Sequence, residues 1–487
     1  MIDSVFHSKK TKIIATLGPA SNNKKALTDM FKAGVNVIRI NASHRGELQG
    51  VRDDIALVRK TATDMGVPIA IFMDLQGPKI RVGKFENDKV ELKVGQAFEL
   101  TTDKVLGNDS RASVSYEAFA ADVKAGEPLY IDDGRIRLEV LKMQGNSAHC
   151  KVVQGGILSN HKGVNLPKTK MTLSALTAKD LEDAAFAVEE KLDYIALSFV
   201  SVEEDVLALR KYIDHLGGYA IQIISKIERQ QAIDNIISII DVSDVIMVAR
   251  GDLGVEIGVE NVPKAQKMII RESNARIKPV IVATQMLESM IQAKTATRAE
   301  VSDVANAIYD RCDAVMLSGE TAVGIDPANV VTTMANIAQA TDEHMTFLKK
   351  QGHSHEDKHG FIQHSTAVSF CKAADQVAIE NNAKAIMAFT SSGNTPLIAS
   401  KLNPILPVIA PTDEPFVWRR TAMYRGVIPL MLPKKFNDIH RWTDMITLAL
   451  NEAKNNHLLE KGDVVVVTAG IPIGRSNGIN SIRIVTV

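Results

Sequence analysis

Residues 222–228 read Q-I-I-S-K-I-E, and residues 244–252 read D-V-I-M-V-A-R-G-D. Each is a short β-branched apolar run that ends abruptly in charge. Neither shows the alternation of a half-exposed strand, so each is predicted to be a strand buried on both faces, as in parallel sheet. Working outward, the same texture recurs at 12–17, 35–41, 69–75, 194–200, 279–285 and 314–318, each run followed by a helical pattern. That makes eight runs, the number that closes a (β/α)8 barrel.

Successive runs begin 22 to 35 residues apart, except for one interval of 125 residues between 69 and 194. No single βα unit fills that length, so a domain is inserted after the third strand. Inside it, V-E-L-K-V, A-F-E-L, P-L-Y-I, I-R-L-E-V-L and H-C-K-V-V are separated by D-D-G, G-N and G-G turns. This alternation predicts small antiparallel β structure, hung over the C-terminal end of the barrel where βα loops lie. Past the barrel, strands are predicted at 385–389, 408–410, 427–431, 464–468 and 482–487, with helices between them. The expected fold is an α/β protein: a TIM barrel at 1–76 and 169–345, an inserted small β-barrel lid at 77–168, and a C-terminal α/β regulatory domain at 346–487.

Lys and Arg total 57 and Asp and Glu total 57, a net charge of +0. Bulk attraction to nucleic acid or an anionic membrane is therefore not expected, and anion binding must come from local clusters. Cys150, Cys312 and Cys371 are few and dispersed, which suits a reducing compartment rather than a disulfide framework. No apolar run reaches membrane-spanning length, and the first residues, M-I-D-S-V-F-H-S-K-K-T-K, lack a signal-peptide core. A cytoplasmic protein is expected. His353, His355, His359 and His364 lie in a polar stretch without a Cys or carboxylate pattern and are read as a solvated linker rather than a metal site.

Polar residues at strand C-termini are the catalytic candidates in this fold. The second run ends in Arg39 and Asn41, followed by Ser43 and His44, and the third ends at Asp74. The fifth ends in Lys226 and Glu228, the sixth leads into Gly251 and Asp252, the seventh carries Thr284, and the eighth leads into Ser318 and Glu320. Lys226 and Glu228, two apart on a strand, share its inward face. Alone they would suit a structural ion pair. With Asp252 on the neighbouring strand, two carboxylates suit Mg²⁺ completed by substrate oxygens, with a lysine facing the metal-bound anion. Gly251 is either a positive-φ turn glycine or an opening for backbone N–H groups onto an anion. Arg39 suits phosphate recognition. Thr284 is a substrate ligand or a helix cap, and Ser318 with Glu320 is a helix-start box or part of the chemistry.

Nine motifs carry a resemblance. They are A-T-L-G-P-A-S, R-I-N-A-S-H, D-L-Q-G-P-K-I-R, H-K-G-V-N-L-P, I-S-K-I-E, A-R-G-D-L-G-V-E, A-T-Q-M-L-E-S-M, T-R-A-E-V-S-D-V-A-N-A and L-S-G-E-T-A. Over essentially its whole length the chain resembles the pyruvate kinases. The resemblance implies transfer of the phosphoryl group of phosphoenolpyruvate to ADP, giving pyruvate and ATP. It implies that Lys226 stabilises the transferring group and that Glu228 and Asp252 hold Mg²⁺ (or Mn²⁺). It assigns the substrate carboxylate to Gly251, Asp252 and Thr284, the phosphate to Arg39, and the nucleotide to Asn41, His44, Arg81 and Lys162. It leaves the enolate's proton donor open between Thr284 and a water chain through Ser318 and Glu320. It also implies a homotetramer.

Two departures stand out. Many relatives bind K⁺ near the equivalents of Arg39, Asn41, Ser43 and Asp74, and have Thr and Glu where this chain has Leu75 and Lys79. The Lys79 ammonium is expected to replace K⁺, making activity K⁺-independent. Ala42 replaces a Phe common in the family. In the C-terminal domain, Thr390, Ser391, Ser392, Gly393, Asn394 and Thr395 precede a helix carrying Pro396. They read as a capped helix start or as an effector-phosphate pocket, with Arg475 on a covering loop. The resemblance implies a sugar monophosphate or AMP, rather than fructose 1,6-bisphosphate, as the effector. Two other functions fit the barrel less well: a metal-dependent lyase acting on phosphoenolpyruvate or pyruvate, and a non-catalytic metabolite-binding regulator. Substrate-dependent ATP formation separates them from the kinase.

Overall fold

The structure, a computed structural model, describes residues 9–42, 48–172, 174–352, 365–439, 441–471 and 478–487. Eight parallel strands close into a barrel: β1 Lys12–Thr16, β2 Val37–Asn41, β3 Ala70–Asp74, β4 Tyr194–Leu197, β5 Gln222–Ile227, β6 Val245–Ala249, β7 Val280–Ala283 and β8 Ala314–Leu317. Every predicted run supplies one of them. The strands pair in chain order, and β8 closes on β1 with Ile14 opposite Met316.

Side-chain alternation sorts each strand into two layers. Ile14, Val37, Phe72, Ala196, Ile224, Met247, Ile281 and Met316 fill the interior. Their neighbours Ile13, Ile38, Ile71, Ile195, Ile223, Ile246 and Val282 pack outward against the helices. Both layers are apolar, so the strands show no polar alternation in sequence. The inward set also continues past the last apolar layer into Thr16, Arg39, Asp74, Ser198 and Lys226. The register that packs the core therefore carries these polar groups to the rim.

The segment after β3 forms a six-stranded sheet with a two-stranded sheet (Lys89–Leu92 with Gly156–Ser159). Its core, including Phe98, Leu129, Leu138 and Val152, is separate from the barrel's. One tie to the barrel runs from Asn165 Nδ2 to Glu256 Oε1, 3.4 Å, on the helix Arg250–Ile257 that follows β6.

The C-terminal domain is a five-stranded sheet ordered 427–431, 408–412, 385–388, 464–469 and 481–486, with only the last strand antiparallel. It docks on the floor of the barrel, opposite the rim. There Tyr194 donates its hydroxyl proton to Arg420 O (2.8 Å), Lys12 Nζ donates to Val427 O (2.7 Å), and the buried Lys401 pairs with Asp313. No helix among the described residues is long and apolar enough to cross a membrane. Ser43, His44, Arg475 and the four histidines at 353–364 lie outside the described residues.

Candidate active site

Asp74, at the end of β3, joins two cations. Its Oδ2 accepts from Arg39 Nε at 2.8 Å and Nη2 at 2.6 Å, and its Oδ1 lies 3.1 Å from Lys226 Nζ. Lys226 also contacts Glu228 Oε1 at 3.0 Å and donates to Ser198 Oγ at 2.7 Å. Arg39 reaches Thr16 Oγ1 at 3.2 Å. Five of the eight strands thus feed one polar cluster at the rim.

Burial sets the electrostatics. It works to raise the Asp74 carboxyl's pKa, but Lys226 and Arg39 outweigh it and hold that carboxyl below the ordinary range. Burial likewise works against the Lys226 ammonium, yet Asp74 and Glu228 keep its pKa above the usual lysine value. Glu228 is shifted upward, chiefly by burial, with Lys226 opposing and Asp252 adding like charge. Its Oε2 accepts the Phe199 N–H at 2.7 Å. Phe199 adopts φ of +56°, a left-handed conformation that costs a non-glycine residue about 1 kcal/mol or more. That turn aims the N–H at Glu228.

Beside this cluster, Gly251 donates its N–H to Thr284 Oγ1 at 2.9 Å, and Thr284 donates to Ala283 O at 2.5 Å. The two readings of Gly251 are resolved at the level of backbone: it lies in the first turn of the helix Arg250–Ile257 and is not a positive-φ turn. The strained residues are instead Thr284 at φ +72° and Gln285 at φ +54°. Thr284 is not the N-cap of the helical turn Glu288–Ile291 that follows it; its hydroxyl instead serves an N–H in the first turn of Arg250–Ile257. A methyl group on Gly251 would meet the Thr284 side chain at 3.7 Å.

Glu320 is fully buried, and its two oxygens accept the Ser318 N–H at 2.6 Å and the Leu287 N–H at 3.2 Å. Ser318 makes no side-chain cap bond. The helix-start box is therefore half formed, and the carboxylate ties the β7 loop to the β8 loop.

A cleft of about 720 Å³ separates the insert from the barrel. Gly251 and Asp252 line it from the barrel, and Lys79, Tyr130, Gly134 and Lys168 from the insert. Arg81 Nη1 donates to His161 O at 2.9 Å, and Lys162 Nζ pairs with Asp132 Oδ1 at 2.8 Å. Val82 N–H donates to Lys162 O at 2.9 Å, so the two segments that carry these cations pair with each other within the insert.

Among the described residues no three His, Cys, Asp or Glu side chains form a metal cluster. The fit to a divalent cation rests on two carboxylates, Glu228 and Asp252, and the charge of Asp252 adds to the burial that raises the Glu228 pKa. A cation would relieve that repulsion, and two oxygen ligands leave room for substrate oxygens.

Sequence reasoning missed Ser198, Phe199 and Thr16. All three sit inside or beside apolar runs, and only the strand-end position that marked the other rim residues would have singled them out. In the C-terminal domain, Thr390 Oγ1 accepts the N–H groups of Ser392 (3.3 Å) and Gly393 (2.7 Å), and Ser392 Oγ accepts that of Asn394 (3.5 Å). Thr390, Ser391, Ser392, Asn394 and Thr395 line a cavity of about 260 Å³.

The parallel barrel thus converges buried cations and carboxylates at its strand ends, beside an inserted β domain. Residues 8–331 match the family model of the pyruvate kinase barrel domain, and 368–485 match that of the pyruvate kinase alpha/beta domain. A pyruvate kinase from Clostridium acetobutylicum is 42% identical over 481 residues, 98% of this chain and 99% of that protein. One from Geobacillus stearothermophilus is 40% identical over 481 residues, 98% of this chain and 80% of that protein. The crystal structure of a pyruvate kinase from Cryptosporidium parvum superposes with a TM-score of 0.92 at 36% identity, covering 99% of this chain and 97% of that one. The chain belongs to the pyruvate kinase family, kinases that transfer phosphate from phosphoenolpyruvate to ADP.

Proposed function

We propose that the rim cluster is the site of phosphoryl transfer from phosphoenolpyruvate to ADP, with Lys226 as the central catalytic cation. The observation that carries this is the Lys226 ammonium held charged between Asp74 and Glu228 at 12% exposure, one strand from the Gly251–Thr284 pair. Phosphoryl transfer asks for positioning and charge stabilisation more than covalent chemistry, and buried, preorganised cations supply that.

Arg39, oriented by Asp74, holds the phosphate. The N–H groups of Gly251 and Asp252 and the Thr284 hydroxyl hold the substrate carboxylate. Arg81 and Lys162, with Asn41 and His44, take the nucleotide. Glu228 and Asp252 would hold Mg²⁺, or Mn²⁺, which when bound supplies positive charge to the phosphate and enolate oxygens. The lid, 77–168, excludes the water that would compete for the phosphoryl group. Thr284 and the Ser318–Glu320 region remain the candidates for delivering the enolate's proton.

Three finer features belong to the same reading. Lys79, exposed in the cleft that Asp252 also lines, supplies the charge K⁺ provides elsewhere in the family. The Thr390–Thr395 loop with Arg475 binds a phosphorylated activator, a sugar monophosphate or AMP. The working form is a cytoplasmic homotetramer, with 1–76 and 169–345 as its catalytic domain and 346–487 as its regulatory domain. The deciding assay is ATP formation from phosphoenolpyruvate and ADP with purified protein. Absence of ATP formation at saturating substrates and Mg²⁺ would overturn the reading.

A further inference from the structure

Between the barrel floor and the C-terminal domain lies a further cavity, of about 670 Å³, whose lining shares no residue with the rim cleft or with the Thr390–Thr395 loop cavity. Its walls include Leu192 and Ile221, from the segments leading into β4 and β5, with Leu216 and Phe416. Phe416 belongs to the short helix Pro415–Arg420. An apolar chamber of this size falls in the range of small-molecule sites.

Its charges are unbalanced. Two carboxylates line it, and both are already engaged: Glu189 pairs with Arg52 at 2.7 Å, and Asp193 pairs with Arg419 at 2.9 Å while accepting the Ile71 N–H. Arg420, which also lines it, is 7% exposed, and among the described residues it has no carboxylate partner. Its guanidinium stacks over the Phe416 ring at 5.3 Å and donates to two carbonyls, Ala220 O at 3.3 Å and Ser392 O. Its Nε–H is buried without any partner. A buried guanidinium lacking a counter-charge is costly, and an anion seated beside it offsets that cost. Lys191 adds a second, exposed cation to the lining.

We propose that this cavity binds a small aromatic monocarboxylate. The carboxylate lies against Arg420, and the ring lies among Leu192, Leu216, Ile221 and Phe416. One uncompensated buried guanidinium matches one negative charge, and apolar walls with an aromatic face match a planar apolar body. Because Arg420 also holds Ser392 O, an occupant of this cavity touches the group that anchors the 390–395 loop.

The test is isothermal titration calorimetry of the full chain with 3-phenylpropanoate. The expected result is a saturable one-site isotherm that weakens at least about tenfold in Arg420→Gln. Leu216→Trp, which fills the chamber from its rim and leaves the catalytic cluster untouched, is expected to abolish binding while ATP formation is retained. The uncharged 3-phenylpropanamide is expected to bind at least about tenfold more weakly than the acid. No saturation up to about 10 mM overturns the proposal. So does binding that survives Leu216→Trp unchanged, or an amide that binds as well as the acid. Should Arg420→Gln fail to fold, the Leu216→Trp and amide measurements decide the matter without it.

Discussion

Asp74 Oδ1 stands 3.1 Å from Lys226 Nζ while its other oxygen holds the Arg39 guanidinium, so one buried carboxylate fixes both principal cations of the rim. The proposed chemistry depends on that arrangement, and several outcomes can be stated in advance.

Lys226→Met keeps the length of the side chain and removes its charge. ATP formation is expected to fall by a factor of about a thousand or more, comparable to losing a principal electrostatic stabiliser. The variant also leaves Asp74 and Glu228 buried without this cation, so its melting temperature is to be measured alongside. A folded variant with unchanged turnover would remove Lys226 from the mechanism.

Thr284→Val deletes the oxygen that accepts the Gly251 N–H and is assigned to the substrate carboxylate. The KM for phosphoenolpyruvate is expected to rise about tenfold or more, with a smaller change in the KM for ADP. Equal changes in both would point to general disorder of the rim instead.

Glu256 bears on pH. Its carboxyl is pushed up to about 7, first by burial and against the opposing pull of Arg229. In an unfolded chain the same group titrates near about 4.3. A carboxyl raised on folding contributes stability below its unfolded value and loses it as pH rises through the folded value. Between about pH 4.3 and 7, then, ionisation of Glu256 erodes stability where the helix Arg250–Ile257 meets Asn165 of the insert. Glu256→Gln removes the ionisation. The fall in melting temperature from pH 5 to pH 8 is expected to be smaller in the variant than in the wild type, by about 2–4 °C. A fall identical in both proteins would show that Glu256 does not carry this dependence.

For the monovalent cation, wild-type turnover in potassium-free buffer with a large organic cation is expected to match turnover with KCl. Lys79→Glu is expected to lose most of its activity without K⁺ and to regain part of it when K⁺ is added. Near-zero wild-type rates restored by KCl would refute the role given to Lys79.

In the C-terminal domain, Thr390→Val removes the hydroxyl that organises the Ser392 and Gly393 N–H groups. Activation by a sugar monophosphate or AMP is expected to disappear while unactivated turnover stays within about twofold. Full activation in the variant would place the effector elsewhere.

Much of this was legible in the chain itself. The eight apolar runs announced the barrel because parallel strands buried on both faces need continuous apolar residues, and the gap between 69 and 194 announced the insert. Lys226 and Glu228 could be placed on one face because side chains alternate along a strand. Arg250 shows the limit: it stands in the charged end of the stretch 244–252, yet the strand stops at Ala249, and Arg250 begins a helix and pairs with Asp303 at 2.7 Å.

By itself, then, the sequence determined the barrel's strand count, the presence of a segment inserted after β3 and of another appended after β8, and several of the strand-end polar residues, since those follow from local periodicity and length. Only the tertiary structure decided who meets whom. Asp74 serves Arg39 and Lys226 together because closure and register bring β2, β3, β4 and β5 side by side at one height. Glu228 is tied to Phe199, and Arg420 is left without a carboxylate partner among the described residues, for the same reason. Contacts between distant segments depend on how strands are staggered and domains docked, and no local pattern in the chain encodes that stagger.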